Sequence, residues 1–205
     1  MFIPRKVAEA KPVGISTAQA EVLANKFRAR FLVPHGDGDV MKLLLKLGGR
    51  RTTIAVIDRR QGQDDLLLAI DKEHFTVSTV DYGAVMDDEP NRRIDVARAI
   101  GHMFLHHPRH VETHGAGVAM VVPRYPEADD EEGLSLHREA TWFARELLAP
   151  AITVAAVANR NSKTDVAAIA ILVSQELRVS RKIADIQIRR AADLGLINRS
   201  LEGAA

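Results

Sequence analysis

Residues 91–107 read NRRIDVARAIGHMFLHH, and this stretch is the most informative part of the sequence for predicting the fold. Apolar residues recur in it three or four positions apart, which predicts a helix with one face in the protein core. Asn91 is expected to cap the start of this helix, and Pro108 is expected to stop it. His102 and His106 are four residues apart, so both imidazoles are expected on one helical face.

His102 stands at the second histidine of an H-E-x-x-H pattern. In that pattern two imidazoles hold one Zn²⁺, and the glutamate between them activates the bound water. The first histidine position holds Arg98 instead, and a guanidinium is a permanent cation with no lone pair for a metal. The glutamate position holds Ala99, so the general base is missing as well. The pattern indicates a zinc-site helix that lacks one metal ligand and the general base.

A second helical stretch follows at residues 137–150, HREATWFARELLAP. Together the two stretches resemble the site helices of the ImmA/IrrE family of metallopeptidases, which typically read R-x-x-x-A-H-E-x-G-H-x-x-x-H and E-A-N-x-F-A-x-x-L-L-x-P. The matching positions are Arg93, Ala97, Gly101, His102, His106, Glu139, Ala140, Phe143, Ala144, Leu147, Leu148 and Pro150. The departures are Arg98, Ala99 and Thr141. With a similar helical tail, the resemblance covers roughly residues 16–199.

The resemblance implies an α+β fold with a small sheet beside the two site helices, as in zincin-like metallopeptidases. Ser16 and Thr17 are the two candidates to cap a first helix. Strand-like runs at residues 52–57, 66–70 and 75–80 supply the sheet, and residues 118–122 are expected to form either a further strand or a lining segment. The expected organisation is a flexible N-terminal arm over residues 1–15, a zincin-like domain over 16–158 and a helical C-terminal subdomain over 159–205.

Charge decides what the degenerate site is expected to contain. The third zinc ligand in metallopeptidases of this kind is a carboxylate on the second helix, and the resemblance assigns that position to Glu139. An unpaired buried carboxylate would be costly. Arg98 lies one helical turn before His102, so we expect an ion pair between Arg98 and Glu139 in place of the metal, with His102 hydrogen-bonded nearby. No catalytic residue and no cofactor are then expected, since Ala99 stands at the general-base position.

A zinc site in altered form is the alternative. His102, His106 and Glu139 would supply two imidazoles and one carboxylate, which are donor types that zinc takes, but without the normal general base. His106 also matches a position that lies outside the metal site in the family pattern. Because His106 already has this place outside the metal site, the ion pair is favoured over the relocated zinc site.

The C-terminal part predicts two helices, over about residues 163–177 and 181–194, joined by a turn at Val179 and Ser180. This layout resembles a helix-turn-helix. The side chains placed to contact DNA phosphates are Arg178, Arg181, Lys182, Arg189 and Arg190. A packed helical subdomain with solvated arginines is favoured over DNA binding, because nearby acidic residues dilute the positive charge.

Composition and charge are compatible with a regulator in the cytoplasm. The chain has 205 residues, 46% hydrophobic and 27% charged, which is the balance of a globular protein. The absence of cysteine excludes disulfides and thiolate metal sites, and a net charge of +1 gives no general attraction for nucleic acid. Residues 1–14 lack the apolar run of a signal peptide or membrane span, so a cytoplasmic protein without a membrane partner is expected. Residues 127–132, EADDEE, are expected to form a solvated loop, with a docking or lid role as the alternative.

Three functions remain open. The first is a pseudoenzyme that keeps the peptidase fold as a binding platform. The resemblance implies that its partner is a helix-turn-helix repressor or activator of a mobile element or a stress response, controlled by protein–protein contact. The second is a transcriptional regulator that binds DNA directly through the C-terminal helices. The third is an active zinc peptidase with the relocated site, and the oligomeric state is left open.

Overall fold

A five-stranded mixed sheet and eight helices make up the part of the chain that a computed structural model describes, residues 6–32, 39–55, 66–71, 74–81, 89–162 and 164–197. The strands are β1 (Val7–Glu9), β2 (Gly49–Ala55), β3 (Leu66–Ile70), β4 (Phe75–Asp81) and β5 (Ala119–Pro123). The helices are α1 (Thr17–Phe31), α2 (Val40–Lys46), α3 (Glu89–Leu105), α4 (His107–His114), α5 (Glu131–Leu148), α6 (Ala151–Arg160), α7 (Val166–Leu177) and α8 (Arg181–Asp193). The fold is α+β, as expected.

The sheet has the strand order β1-β5-β3-β4-β2. Strand β3 runs antiparallel to both of its neighbours, whereas β2 with β4 and β1 with β5 are parallel pairs. Leu67 and Leu68 of β3 are both fully buried, as in a strand covered on both faces. The strands expected at residues 66–70, 75–80 and 118–122 are confirmed. The strand expected at 52–57 begins at Gly49, and its last two residues lie outside the described ranges.

Strand β1 departs from the expected organisation. Val7–Glu9 pair with β5, so the arm predicted over residues 1–15 contains an edge strand of the sheet. The Ala10 N–H donates to the Val121 carbonyl at 3.0 Å, one residue beyond the strand. Ala10 is also the single buried residue between positions 6 and 15. Main-chain pairing needs no particular side chain, which explains why the sequence pattern gave no sign of it.

Helix α3 begins and ends differently from the prediction. It starts at Glu89, so Asn91 lies inside the helix and does not cap it. It ends at Leu105, and Pro108 lies in the first turn of α4. Proline is tolerated there because the first N–H groups of a helix have no acceptor within the helix. His106 is left at the junction of the two helices.

Helix α5 begins inside the acidic stretch that was expected to be a loop. Asp130 is its N-cap residue and accepts a hydrogen bond from the Gly133 N–H at 2.8 Å. Glu131 and Glu132 form the first turn, where the helix dipole stabilises negative charge. The loop therefore contributes only residues 127–129 of the predicted stretch before the helix cap.

Helices α3 and α5 cross at close range at Gly101. A Cβ atom at this position would lie 3.1 Å from Phe143 Cδ1 and 3.2 Å from the Ala140 carbonyl oxygen. Phe143 is fully buried and contacts Phe27 of α1 edge to face, with 5.7 Å between ring centroids. The crossing places the two predicted site helices side by side.

The C-terminal helices follow the prediction closely. Helix α7 ends at Leu177, Arg178 adopts a left-handed conformation, and the Ser180 hydroxyl caps α8 by accepting from the Ile183 N–H. Of the two candidate caps of α1, Ser16 holds the N-cap position and Thr17 is the first residue of the helix. Helix α6 runs continuously across the domain boundary that was expected between residues 158 and 159.

A helix that crosses a membrane has to be about 20 residues long and largely apolar. Within the described ranges no single helix is long and apolar enough to cross a membrane. Helices α5 and α6 meet these two conditions only as a pair that is bent by 45°. Both contribute to the core, where Leu147 and Val154 are fully buried.

We expect Gly101→Val to destabilise the protein by about 1–3 kcal/mol. The branched side chain would meet Phe143 and the main chain of Ala140, which do not give way unless α3 moves from α5. Urea unfolding followed by the fluorescence of Trp142, the single tryptophan, measures the change. Glu112→Val on the exposed side of α4 is the control. Equal unfolding midpoints for the two variants would contradict the close crossing.

Candidate functional site

The carboxylate of Glu139 is the centre of the site, and the residue is 1% exposed. Its Oε1 accepts hydrogen bonds from the N–H groups of Gly14 at 2.7 Å and Ile15 at 3.2 Å. Its Oε2 accepts from the Val13 N–H at 3.0 Å. Three consecutive amides reach one anion because Gly14 has a φ of 78°, which glycine adopts without strain. The N-terminal segment thereby solvates a buried negative charge.

His106 supplies a fourth donor to this carboxylate. Its Nε2 lies 2.9 Å from Glu139 Oε2. An ionised carboxylate only accepts, so Nε2 carries the proton, and Nδ1 of the neutral ring is a lone pair. His102 Nδ1 lies 3.1 Å from His106 Nδ1 and therefore donates to it. The charge of Glu139 thus fixes the tautomers of both rings.

His102 ends this chain of hydrogen bonds with a free lone pair. Its Nε2 is the acceptor nitrogen by the same argument, and it is buried with no hydrogen-bond partner among the described residues. Burial, reinforced by His106, His137 and the charge of Arg98, holds the pKa of His102 well below its ordinary value. Burial also lowers the pKa of His106, although Glu139 opposes this shift. Both rings are neutral.

Arg98 faces a different histidine. Its Nη2 lies 2.8 Å from His137 Nδ1, and its Nη1 lies 3.7 Å from the carboxylate of Asp95. A guanidinium only donates, so His137 Nδ1 is the acceptor and Nε2 carries the proton of this ring. The pKa of His137 falls to about 4, first because the ring is buried and second because of the charge on Arg98. This pair forms a second polar group beside the first.

The expected ion pair between Arg98 and Glu139 is wrong. Glu139 is already stabilised by three amides and an imidazole, so it has no need of a cation. Arg98 finds acceptors at His137 and one turn back at Asp95. His102 does belong to the polar network, but through His106 rather than through the arginine.

The donor set does not fit a zinc ion in this arrangement. His106 uses both of its nitrogens and the two oxygens of Glu139 accept four hydrogen bonds, which leaves one spare lone pair in the group, on His102. Across the described ranges, no group of three or more His, Cys, Asp or Glu side chains is arranged to hold a metal ion. The sequence correctly brought His102, His106 and Glu139 together, but they form a line of hydrogen bonds instead of converging on one point.

Two parts of the site carried no readable signal in the sequence. The first is the set of amides at residues 13–15, since Gly14 and Glu139 are 125 residues apart and a main-chain donor has no signature of its own. The second is His137, which opens the second family-like stretch but matches no position of its pattern. Only the three-dimensional packing of α3 on α5 identifies it as the partner of Arg98.

A second group of histidines lies on α4. His110 Nε2 donates to the Val118 carbonyl at 3.1 Å, and its Nδ1 is buried with no partner among the described residues. The ring of His114 lies 4.9 Å from that of His110. Both residues lie on α4, and neither side chain bonds to Glu139, so this group is separate from the network of His102 and His106.

The five cations expected to contact DNA divide into two sets. Arg190 donates to Glu21 twice, at 2.7 and 2.6 Å, and Arg178 forms an ion pair with Glu89, so both are engaged within the protein. The remaining three are exposed on α8: Arg181, Lys182 and Arg189. The structure therefore leaves part of the predicted basic surface free for phosphates.

Comparison of the chain with models of known protein families and with curated protein sequences finds no match. The two helix patterns remain the basis of the family resemblance. What the site offers chemically is a satisfied buried anion, three neutral imidazoles and a guanidinium held apart from the anion.

Acid is expected to destabilise the protein through the neutral histidines. His137 has a folded pKa of about 4 against an ordinary value of 6.5, so the unfolded chain takes up its proton first as the pH falls. The stabilisation is complete above a pH of about 6.5 and is lost progressively down to a pH of about 4. This group alone accounts for a loss on the order of 3 kcal/mol. Urea unfolding at a series of pH values measures it.

A glutamine in place of His137 separates this effect from the titration of carboxylates. In His137→Gln the amide oxygen still accepts from Arg98, but no ring remains to titrate, so the pH dependence should flatten. His114→Gln changes an exposed ring and should leave the pH dependence as it is. If stability were equal at pH values of about 7 and about 4.5, the neutral state of the buried rings would be wrong.

Proposed function

We propose that the protein is a catalytically degenerate relative of the ImmA/IrrE metallopeptidases that acts in the cytoplasm as a regulatory binding protein. Its partner is a helix-turn-helix transcriptional regulator of a mobile element or a stress response, which it controls by protein–protein contact. The observation that carries the proposal is the engagement of Glu139, whose two oxygens accept four hydrogen bonds from this chain.

A carboxylate in this state serves structure. In a zinc peptidase the same position has to offer an oxygen to the metal. If Glu139 bound a metal here, the three amides at residues 13–15 would lose their acceptor. Partly buried donors that are left without an acceptor destabilise a fold. The network therefore favours a closed N-terminal segment over an open metal site.

Helix α3 supports the same conclusion. Ala99 is fully buried and has no group that could take a proton from a water molecule. Arg98 keeps its charge and is held between His137 and Asp95. Neither position supplies the general base that peptide hydrolysis requires.

The scaffold around the site still binds an extended chain. Strand β1 pairs with β5, and its continuation reaches Glu139 through residues 13–15. Arg109 adds a hydrogen bond to the Pro12 carbonyl at 2.8 Å. A fold that pairs with its own extended segment in this way is suited to recognise protein segments by the same contacts.

Metal content tests the loss of chemistry. We expect the untagged protein, purified without added zinc, to carry substoichiometric zinc by elemental analysis and native mass spectrometry. Arg98→His combined with Ala99→Glu recreates an H-E-x-x-H motif whose second histidine is His102, so this variant should bind more zinc. Stoichiometric zinc in the unchanged protein that is lost in His106→Ala or Glu139→Ala would overturn the proposal.

Complexes that form in the cells in which the protein naturally occurs test the proposed class of partner. We expect cross-linking followed by mass spectrometry to join this chain to an intact helix-turn-helix regulator, because a binding protein without a general base leaves its partner uncut. Regulator fragments that disappear on treatment with a chelator would instead indicate a peptidase. The absence of any transcriptional regulator among the cross-linked proteins would contradict the proposed partner.

Direct DNA binding is the second candidate, and one observation favours it. Arg181 and Arg189 are exposed and eight residues apart on α8, so they share a helical face, and Lys182 is exposed beside them. Asp185 lies on the same face between the arginines and weakens their attraction for phosphates. In the cross-linking experiment this alternative would yield duplex DNA in place of a protein partner, with binding in vitro that falls with salt.

A further inference from the structure

One face of α5 carries a groove next to the site. The groove has a volume of about 410 Å³. Its lining residues are Leu134, His137, Arg138, Thr141, Trp142 and Arg145. They recur three or four positions apart, so they form one continuous stripe along the helix, here called the α5 stripe. His137, the most buried of them, is the residue that contacts Arg98, so the stripe adjoins the site.

Neither of the two guanidinium groups on the α5 stripe is hydrogen-bonded to a carboxylate within the described part of the chain. Arg138 is exposed and makes no ion pair there. The Nε of Arg145 is buried without a hydrogen-bond partner among these residues. Glu21 is the carboxylate that acts on Arg145 electrostatically, but it already accepts two hydrogen bonds from Arg190. The stripe therefore offers two cations to an external anion.

Apolar side chains alternate with these cations. Leu134 is 42% exposed and stands one turn before Arg138. Trp142 is partly exposed and lies between Arg138 and Arg145 along the helix. Tryptophan and arginine are the side chains that most often anchor protein interfaces. The order apolar, cationic, apolar, cationic is complementary to an amphipathic segment that carries acidic residues.

We propose that the α5 stripe binds an acidic amphipathic helix of the partner, an inference that rests on the function proposed above. Arg138 and Arg145 are seven residues apart, which is two turns and about 10.5 Å along the axis. Carboxylates seven residues apart on an incoming helix keep the same distance and the same face. Apolar side chains between these carboxylates cover Trp142 and Leu134, in the way that helices bind to grooves.

The surrounding charge favours a short acidic helix over a nucleic acid. Glu131 and Glu132 form the first turn of α5, directly before the Leu134 end of the stripe. A phosphate backbone that continued past Arg138 would meet these two carboxylates and be repelled. An amphipathic helix with two acids places both of them over the arginines and presents other residues to the acidic end.

The single tryptophan makes the stripe directly observable, because all of the tryptophan fluorescence of this protein comes from Trp142. The full chain is titrated with a synthetic helical peptide in which glutamates recur every seven residues with leucines between them. We expect saturable binding that weakens as salt is added. Arg138→Ala and Arg145→Ala should each weaken it about tenfold, through the loss of one charge-assisted pair. Arg51→Ala at an exposed position of β2 is the matched control and should leave the affinity unchanged.

Equal peptide affinity in the unchanged protein and in Arg138→Ala would overturn the proposal. Equally tight binding of a peptide with glutamine in place of each glutamate, or of a single-stranded oligonucleotide, would overturn it as well. Arg138 is exposed, so this variant tests the stripe without a risk to folding. Circular dichroism and a urea midpoint establish that Arg145→Ala is folded before its affinity is compared.

The partner proposal and the α5 stripe fail in different ways. If the peptide binds through Arg138 and Arg145 but no regulator is cross-linked in cells, the stripe is supported and the proposed partner is wrong. If a regulator complex persists unchanged when both arginines are replaced by alanine, the function stands and the stripe is not its binding site.

Discussion

A single buried carboxylate holds three parts of this molecule together. Glu139 on α5 accepts hydrogen bonds from the amides of residues 13–15 and from His106 at the junction of α3 and α4. Hydrogen bonds to an ionised acceptor are stronger than those between neutral groups. The position of the N-terminal segment and the tautomers of His106 and His102 therefore depend on the charge of this one residue.

Because Glu139 is already stabilised by hydrogen bonds, the site consists of two separate polar groups, one around Glu139 and one around Arg98. Once Glu139 has four donors, Arg98 contributes nothing to it and is held by His137 and Asp95. Asp95 also accepts a hydrogen bond from Arg124, which donates to the Ser78 carbonyl of β4 as well. Through Asp95 and Arg124, Arg98 thereby becomes part of the contact between α3 and the sheet.

Features that arise from nearby residues could be predicted from the sequence, and features that arise from distant ones could not. The caps at Ser16 and Ser180 and the strand-like runs of the inner sheet have local causes and were placed correctly. Strand β1 was missed because an edge strand paired through its main chain leaves no apolar pattern. The predicted partner of Glu139 was wrong for a related reason. The prediction matched the charges of side chains, whereas the actual donors include the main-chain amides of Gly14 and its neighbours.

The polar residues of α5 lie on two different faces of the helix, one buried against the rest of the protein and one exposed to solvent. Successive residues of a helix point about 100° apart, so Arg138 and Glu139 face different surroundings although they are adjacent. Glu139 is 1% exposed and satisfied within the chain, whereas Arg138 is exposed and has no ion-pair partner among the described residues. The buried network around Glu139 leaves one spare lone pair, on Nε2 of His102, and this ring is fully buried. Recognition by this helix therefore has to come from its outer face, where Arg138, Trp142 and Arg145 still have that capacity.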